Sequence, residues 1–169
     1  MLTKLRYVGV SIEDLIEIYI LFIRSITEYC SVAFHSSLTV EQANDIERIQ
    51  RISLKVILAE NYIDYSAALE MCGLQSLYDR REQRCLKFAQ KCIKHPINRR
   101  LFPLNPNIES LHDIRSREKF VVNFARTESY RKSAIPYCQR LLNQHLKLNW
   151  TLVWTWMIVC HRCITFCSK

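Results

Sequence analysis

Glycine is nearly missing from this chain: Gly9 and Gly73 are its only two among 169 residues, and prolines number four. Without turn-formers, an all-β architecture is disfavoured, and so is a glycine-rich loop that cradles phosphate. Long hydrophobic runs are missing too. The uncharged stretches Ile18 to Ile23 and Leu148 to Cys160 both fall short of the roughly 20 residues that cross a bilayer, so no transmembrane anchor is expected. The N-terminus carries no basic start, apolar stretch and small-residue cleavage site. The eight cysteines, at 30, 72, 85, 92, 138, 160, 163 and 167, are therefore read as reduced thiols in an intracellular protein of the cytoplasm or nucleus. There is no internal repeat and no low-complexity tract.

What the chain does have is apolar content, 49%, with 24% charged residues. That suffices for one ordinary core or two small helical subdomains. The fold class expected is mainly α: a bundle of about five helices with a proline-containing linker, a small irregular β-prone segment and an apolar C-terminal tail.

Several stretches carry that expectation. From Ser11 to Thr27, Ile12, Leu15, Ile16, Tyr19, Phe22, Ile23 and Ile26 follow the three-and-four spacing of one buried helical face. Thr39 with Gln42 forms a capping box opening a second helix. Its inward stripe is Ala43, Ile46, Ile49, Val56 and Ile57, with Glu41, Asp45, Glu47, Arg48, Arg51 and Lys55 toward water. A short helix from about Tyr65 stops at Gly73. Ser76 and Asp79 cap another, which runs to Lys94 because Pro96 disfavours helix in the residue before it. Leu101 to Asn107, with Pro103 and Pro106, reads as an extended linker. Phe120 to Phe124 is β-prone, and Ser133 with Pro136 starts a last helix through about Asn143.

Charge divides unevenly. Met1 to Gln75 holds six Lys/Arg against ten Asp/Glu, whereas Ser76 to Lys169 holds eighteen against six. The second half is thus the part that suits a polyanion. Within it, Arg80, Arg84, Lys87, Lys91 and Lys94 line one helix side, next to an apolar stripe of Leu77, Cys85, Phe88 and Cys92. These five cations are the preferred phosphate-contact surface, with a merely solvated basic face as the alternative. Arg115, Arg117, Lys119, Arg126, Arg131 and Lys132 form a second basic group, interleaved with Phe120, Phe124 and Tyr130. Those aromatics either stack on unpaired bases or, more ordinarily, belong to the core.

Other chemistry is thinly supported. Cys160, Cys163 and Cys167 with His161 have zinc-like spacing, His145 being another candidate fourth ligand, but no second Cys-x-x-Cys pair exists. An incidental thiol-rich tail is the default, and no cofactor is expected. No nucleophile with a neighbouring base has a local signature, so no catalytic residue and no small-molecule substrate are assigned.

The succession LIEIYILFIRSITEYCSVAFHSSLTVEQANDIERIQRISLKVIL, YSAALEMCGLQSLYDRREQRCLKFAQKC, LFPLNP and SAIPYCQRLLN, spanning Leu5 to Asn143, resembles the region after the catalytic palm in jockey-like, LINE-type non-LTR retrotransposon reverse transcriptases. The resemblance implies thumb-type helices near Leu5 to Leu58, with a helical extension behind them. A thumb holds the template and primer duplex through backbone contacts that do not read sequence. Partners so implied are the RNA or DNA backbone, or a polymerase palm.

The palm chemistry of that family uses paired divalent metals on close carboxylates, among them a tandem Asp-Asp. The aspartates here, at 14, 45, 64, 79 and 113, are never adjacent. The resemblance therefore implies an RNA-directed DNA polymerase parentage but no polymerisation by this chain alone. It divides the chain into a thumb-like and adjoining helical region over 1–100, a basic linker and terminal helix over 101–145, and an atypical Trp/Cys-rich tail over 146–169 that departs from the family pattern. A protein-interaction or folding-only helical remnant is the alternative reading.

Overall fold

A computed structural model of the chain describes residues 1–106 and 119–146. The fold is mainly helical, and the described residues contain no strand. They include no helix long and apolar enough to cross a membrane. The chain forms two compact units, Met1–Cys85 and Leu86–Lys169, with the boundary inside a helix.

In the first unit, α1 (Leu2–Tyr7) is followed by α2 (Ile12–Ile18), which runs through a π-helical turn, Tyr19–Arg24, into α3 (Ser25–Thr27). Ser11 caps α2 by accepting from the Asp14 N–H at 3.1 Å. Leu15 and Tyr19 point inward, packing with Leu2 of α1 and Ile57. Phe22 and Ile26, assigned above to the same inward face, are exposed. The π turn explains the difference: its i→i+5 bonding takes in more residues per turn, so beyond Tyr19 the inward positions shift to Ile20 and Ile23, which still pack on the core, and away from Phe22 and Ile26.

After α4 (Ser31–Phe34) and a 3₁₀ turn, α5 (Val40–Leu58) opens on the expected capping box. The Thr39 hydroxyl accepts from the Gln42 N–H at 3.2 Å, and the Gln42 side chain accepts from the Thr39 N–H at 3.0 Å. Its fully buried face is Gln50, Ser53, Leu54, Ile57 and Leu58. Ile49 turns outward, a correction to the stripe given above. Gln50 takes an inward position because its amide donates to the Gln75 carbonyl at 3.1 Å and accepts from the Tyr65 hydroxyl at 3.0 Å. Leu54 and Leu58 pack on Ala68 of α6 (Tyr65–Met71). Gly73 ends that helix at φ +61°, letting the Leu74 N–H reach back to the Leu69 carbonyl at 2.8 Å.

The helix α7 (Leu77–Lys94) has the bounds that Ser76, Asp79 and Pro96 suggest. Ser76 accepts from the Asp79 N–H at 3.1 Å. Glu47, expected to face water, instead reaches across to α7 and accepts from the Leu77 and Tyr78 N–H groups at 3.1 and 3.2 Å. The free amides and positive end of a helix dipole make that position favourable for a carboxylate.

In the second unit, the described part of the proline segment, 101–106, is pinned rather than free. Phe102 is 1% exposed and meets Phe120 edge-on, with ring centroids 6.4 Å apart. The Pro103 carbonyl accepts from the Val121 N–H at 2.9 Å, and the Asn105 N–H donates to the Lys119 carbonyl at 3.0 Å. The β-prone stretch therefore makes a single bridge, Leu104 to Phe120. Thr127 caps α8 (Glu128–Arg131), a turn of helix between the β-prone stretch and the last helix. The last described helix, α9, covers 134–146. Ser133 precedes it, but its hydroxyl donates backward to the Tyr130 carbonyl at 2.7 Å.

Two buried amides one turn apart on α9 hold the irregular segment. Asn143 accepts from the Phe120 N–H at 3.0 Å and donates to the Phe120 carbonyl at 2.9 Å, as a neighbouring strand would. Gln139 accepts from the Asn123 N–H at 3.1 Å and donates to the Leu101 carbonyl at 2.8 Å.

Candidate nucleic-acid interface

The five cations singled out on α7 fall into two kinds of environment. Arg80 and Arg84, in the first unit, converge on Glu28, a carboxylate only 1% exposed. The Arg80 Nε donates to Glu28 Oε1, Arg80 Nη2 lies 3.2 Å from Oε2, and Arg84 Nη2 lies 2.8 Å from Oε2. Arg84 also donates to the Glu28 carbonyl at 3.3 Å. The hydrogen bond to Glu28 raises the Arg80 pKa above its ordinary value. Burial, and then the neighbouring Arg80 charge, lowers that of Arg24 nearby. These arginines are committed to holding α7 against the segment after α3, so their charge is only partly available to a ligand.

Lys87, Lys91 and Lys94, in the second unit, are exposed and form no ion pair among the described residues. They step by four and three along α7, opposite the buried Ala89 and Cys92. Ammonium groups on flexible stems at that spacing can follow a sugar-phosphate backbone. Arg99 and Arg100, on the 3₁₀ turn Asn98–Leu101, are also exposed and were missed in the sequence. A run of two arginines beside the Pro96 helix stop was the signal available.

The second basic group is only partly described. Lys119 and Arg126 are exposed. Arg131 makes a two-pronged pair with Glu128, at 2.7 and 2.8 Å, and Lys132 lies 3.7 Å from the same carboxylate. Arg115 and Arg117 lie outside the described residues. Of the interleaved aromatics, Phe120 is core, Tyr130 is partly exposed and Phe124 is 90% exposed. Phe124 is thus the aromatic that could meet an unpaired base.

Summed over the described residues of the second unit, ten Lys/Arg stand against one acid, Glu128. No family model, curated protein or solved structure matches the chain. The functional reading therefore stands on this electrostatic arrangement and on the sequence resemblance.

Three of the aspartates are occupied with structure. Asp14 accepts from the Ser11 hydroxyl at 2.8 Å, Asp64 from the Ala67 N–H at 2.7 Å, and Asp79 from the Ser76 hydroxyl at 2.7 Å, each at a helix N-terminus. Among the described residues, no group of three His, Cys, Asp or Glu could hold a metal ion. The candidate zinc ligands Cys160, His161, Cys163 and Cys167 lie outside them. Cys85 and Cys92 are buried on α7 and in no disulfide, as their helical spacing indicated.

One residue of α7 escaped the sequence reading altogether. Arg81 falls between Leu77 and Cys85 on the inward face and is fully buried. Around it lie Glu47, Glu28, Tyr78, Tyr65 and His35, all within its electrostatic reach. The His35 ring sits edge-on to Tyr78, 5.2 Å between centroids. Burial, with the Arg81 charge second, pulls the His35 pKa down to about 4. Tyr65 donates to Glu47, and burial with this bond raises its pKa.

Proposed function

We propose that the chain is a non-catalytic part of a non-LTR retrotransposon reverse transcriptase, corresponding to the region behind the palm, and that its second unit binds RNA or DNA by phosphate contacts without reading sequence. Among the described residues of that unit, the excess of ten Lys/Arg over Glu128, with Lys87, Lys91 and Lys94 exposed and in no ion pair, carries the nucleic-acid part of this reading. The ordered succession of motifs from Leu5 to Asn143 carries the parentage. The absence of synthesis rests on aspartates that are never adjacent, three of which serve as helix-terminal acceptors.

Filter binding across a salt series, with single-stranded RNA, duplex DNA and an RNA–DNA hybrid, tests it. The expected result is comparable affinity for unrelated sequences, falling linearly in log K against log salt. A salt-independent affinity, or no retention of any of the three at low salt, contradicts the reading.

A second reading draws on a separate observation. Leu21, Phe22, Ile26 and Tyr29 are all exposed along one stretch of the first unit, more apolar surface than a solvated helix needs. This favours a protein partner for that unit, of which a polymerase palm is the partner the resemblance suggests. Such association would be insensitive to salt.

A further inference from the structure

Phe124 is 90% exposed, the most exposed aromatic among the described residues of the second unit. A single apolar side chain at a surface needs no explanation in itself. Phe124 differs because the chain on both sides of it is tied down. On one side, the Asn123 N–H donates to Oε1 of the buried Gln139 at 3.1 Å, and both polar groups of the Phe120 backbone are held by Asn143 at 3.0 and 2.9 Å. On the other, the Thr127 hydroxyl and carbonyl accept from the Tyr130 and Arg131 N–H groups at 3.3 and 3.0 Å. The short stretch 124–126 lies between these ties, so the ring is displayed from a held backbone.

A second ring is fastened to the same stretch. The side-chain amide of Asn123, the residue before Phe124, donates to the Tyr130 hydroxyl at 3.4 Å, and the Tyr130 ring is partly exposed.

Charge decides what such rings meet. Arg126 follows Phe124 by two residues, so chain connectivity keeps their Cα atoms within about 7 Å. Arg126 and Lys119 are both exposed and in no ion pair among the described residues. Glu128, the one acid among the described residues of this unit, is paired with Arg131. An apolar patch on a protein gains nothing from that field. A nucleic-acid strand offers in one molecule a base face for the ring and phosphates for the cations. In a duplex the base faces are covered by their stacked neighbours, so a side-chain ring meets them in a single strand.

We infer that Phe124 is a base-stacking residue and that the second unit takes single-stranded nucleic acid on it, one unpaired base lying on the ring while Arg126 and Lys119 contact flanking phosphates. The inference rests on the nucleic-acid reading above and adds the strandedness of the ligand. Duplex is held by phosphate contacts alone, a single strand by phosphate contacts and the stack. A ring stacks on any base and displaces no counterion, so the added affinity is tolerant of sequence, indifferent to the sugar and absent from the salt slope.

The test is binding by the full chain and by Phe124→Ala to an unstructured single-stranded RNA, the DNA strand of the same sequence and the DNA duplex, across a salt series. Phe124→Ala should lose about tenfold in affinity for both single strands, the value of one base–aromatic stack, and keep the wild-type affinity for duplex. Its slope of log K against log salt should match the wild type on all three ligands. Phe124→Trp should restore single-strand affinity. Because the ring is exposed, its removal should leave the unfolding midpoint unchanged. An equal loss on duplex and single strands would make Phe124 a support for phosphate contacts, and a loss confined to RNA would indicate recognition of the 2′-hydroxyl; either overturns the inference. Unchanged single-strand affinity in Phe124→Ala, with the wild type binding all three ligands, overturns the stack alone and leaves the phosphate reading standing, the ring then being open to a protein partner. No binding of any ligand by the wild type overturns both.

Discussion

His35 shows how a single side chain can set the pH response of the first unit. Its folded pKa, pulled down to about 4 by burial and by Arg81, lies below the unfolded value of 6.5. The unfolded chain therefore binds the proton more readily between those two values. Stability contributed by neutral His35 is complete above pH 6.5 and is lost as pH falls toward 4, amounting to roughly 3 kcal/mol over the window. Urea unfolding at intervals across that range should show a steeper acid loss in the wild type than in His35→Gln. Equal slopes would mean that the ring is not held neutral. Arg81, its neighbour, was legible in principle: it sits at helical spacing between Leu77 and Cys85, inside the apolar stripe. Its charge disguised its position, since a cation at an inward site breaks the pattern by which burial is read.

At the scale of elements, the helix ends were readable because they are written locally. Thr39 with Gln42, Ser76 with Asp79, Gly73 and Pro96 each act within a few residues of themselves. The phase inside the first long stretch was not, because the π turn at Tyr19–Arg24 shifts the periodicity without a distinctive residue to announce it. Contacts between distant residues were equally hidden. Nothing near Glu28 points to Arg80 and Arg84, and nothing near Phe120 points to Asn143. The Asn143 amide does for the buried Phe120 backbone what a second strand would do. Asn143→Leu should leave that N–H and carbonyl unpaired and cost about 3 kcal/mol. Denaturation followed by a probe in the second unit should show a lower midpoint with an unchanged m-value, and an unaltered midpoint would show that the pairing contributes nothing.

For the whole molecule, the uneven charge seen in the sequence becomes a division of labour between two units. The first unit spends Arg80 and Arg84 on the buried Glu28. Among the described residues of the second, the lysines are exposed and Glu128 is the one acid. Net charge located the basic half, but could not separate Arg80 and Arg84, which pair with the buried Glu28, from Lys87, Lys91 and Lys94, which are exposed. The separation also bears on variants. Replacing Arg80 or Arg84 mixes lost binding with lost stability, whereas the three lysines can be changed without touching a buried partner.

The most direct measurement is therefore the salt dependence of duplex binding by the wild type and by the triple variant Lys87→Gln, Lys91→Gln, Lys94→Gln. Each lysine that displaces a counterion contributes about 0.9 to the slope of log K against log salt, so the variant's slope should be shallower by about 2 to 3, with its unfolding midpoint unchanged. An identical slope in the two proteins would contradict the account.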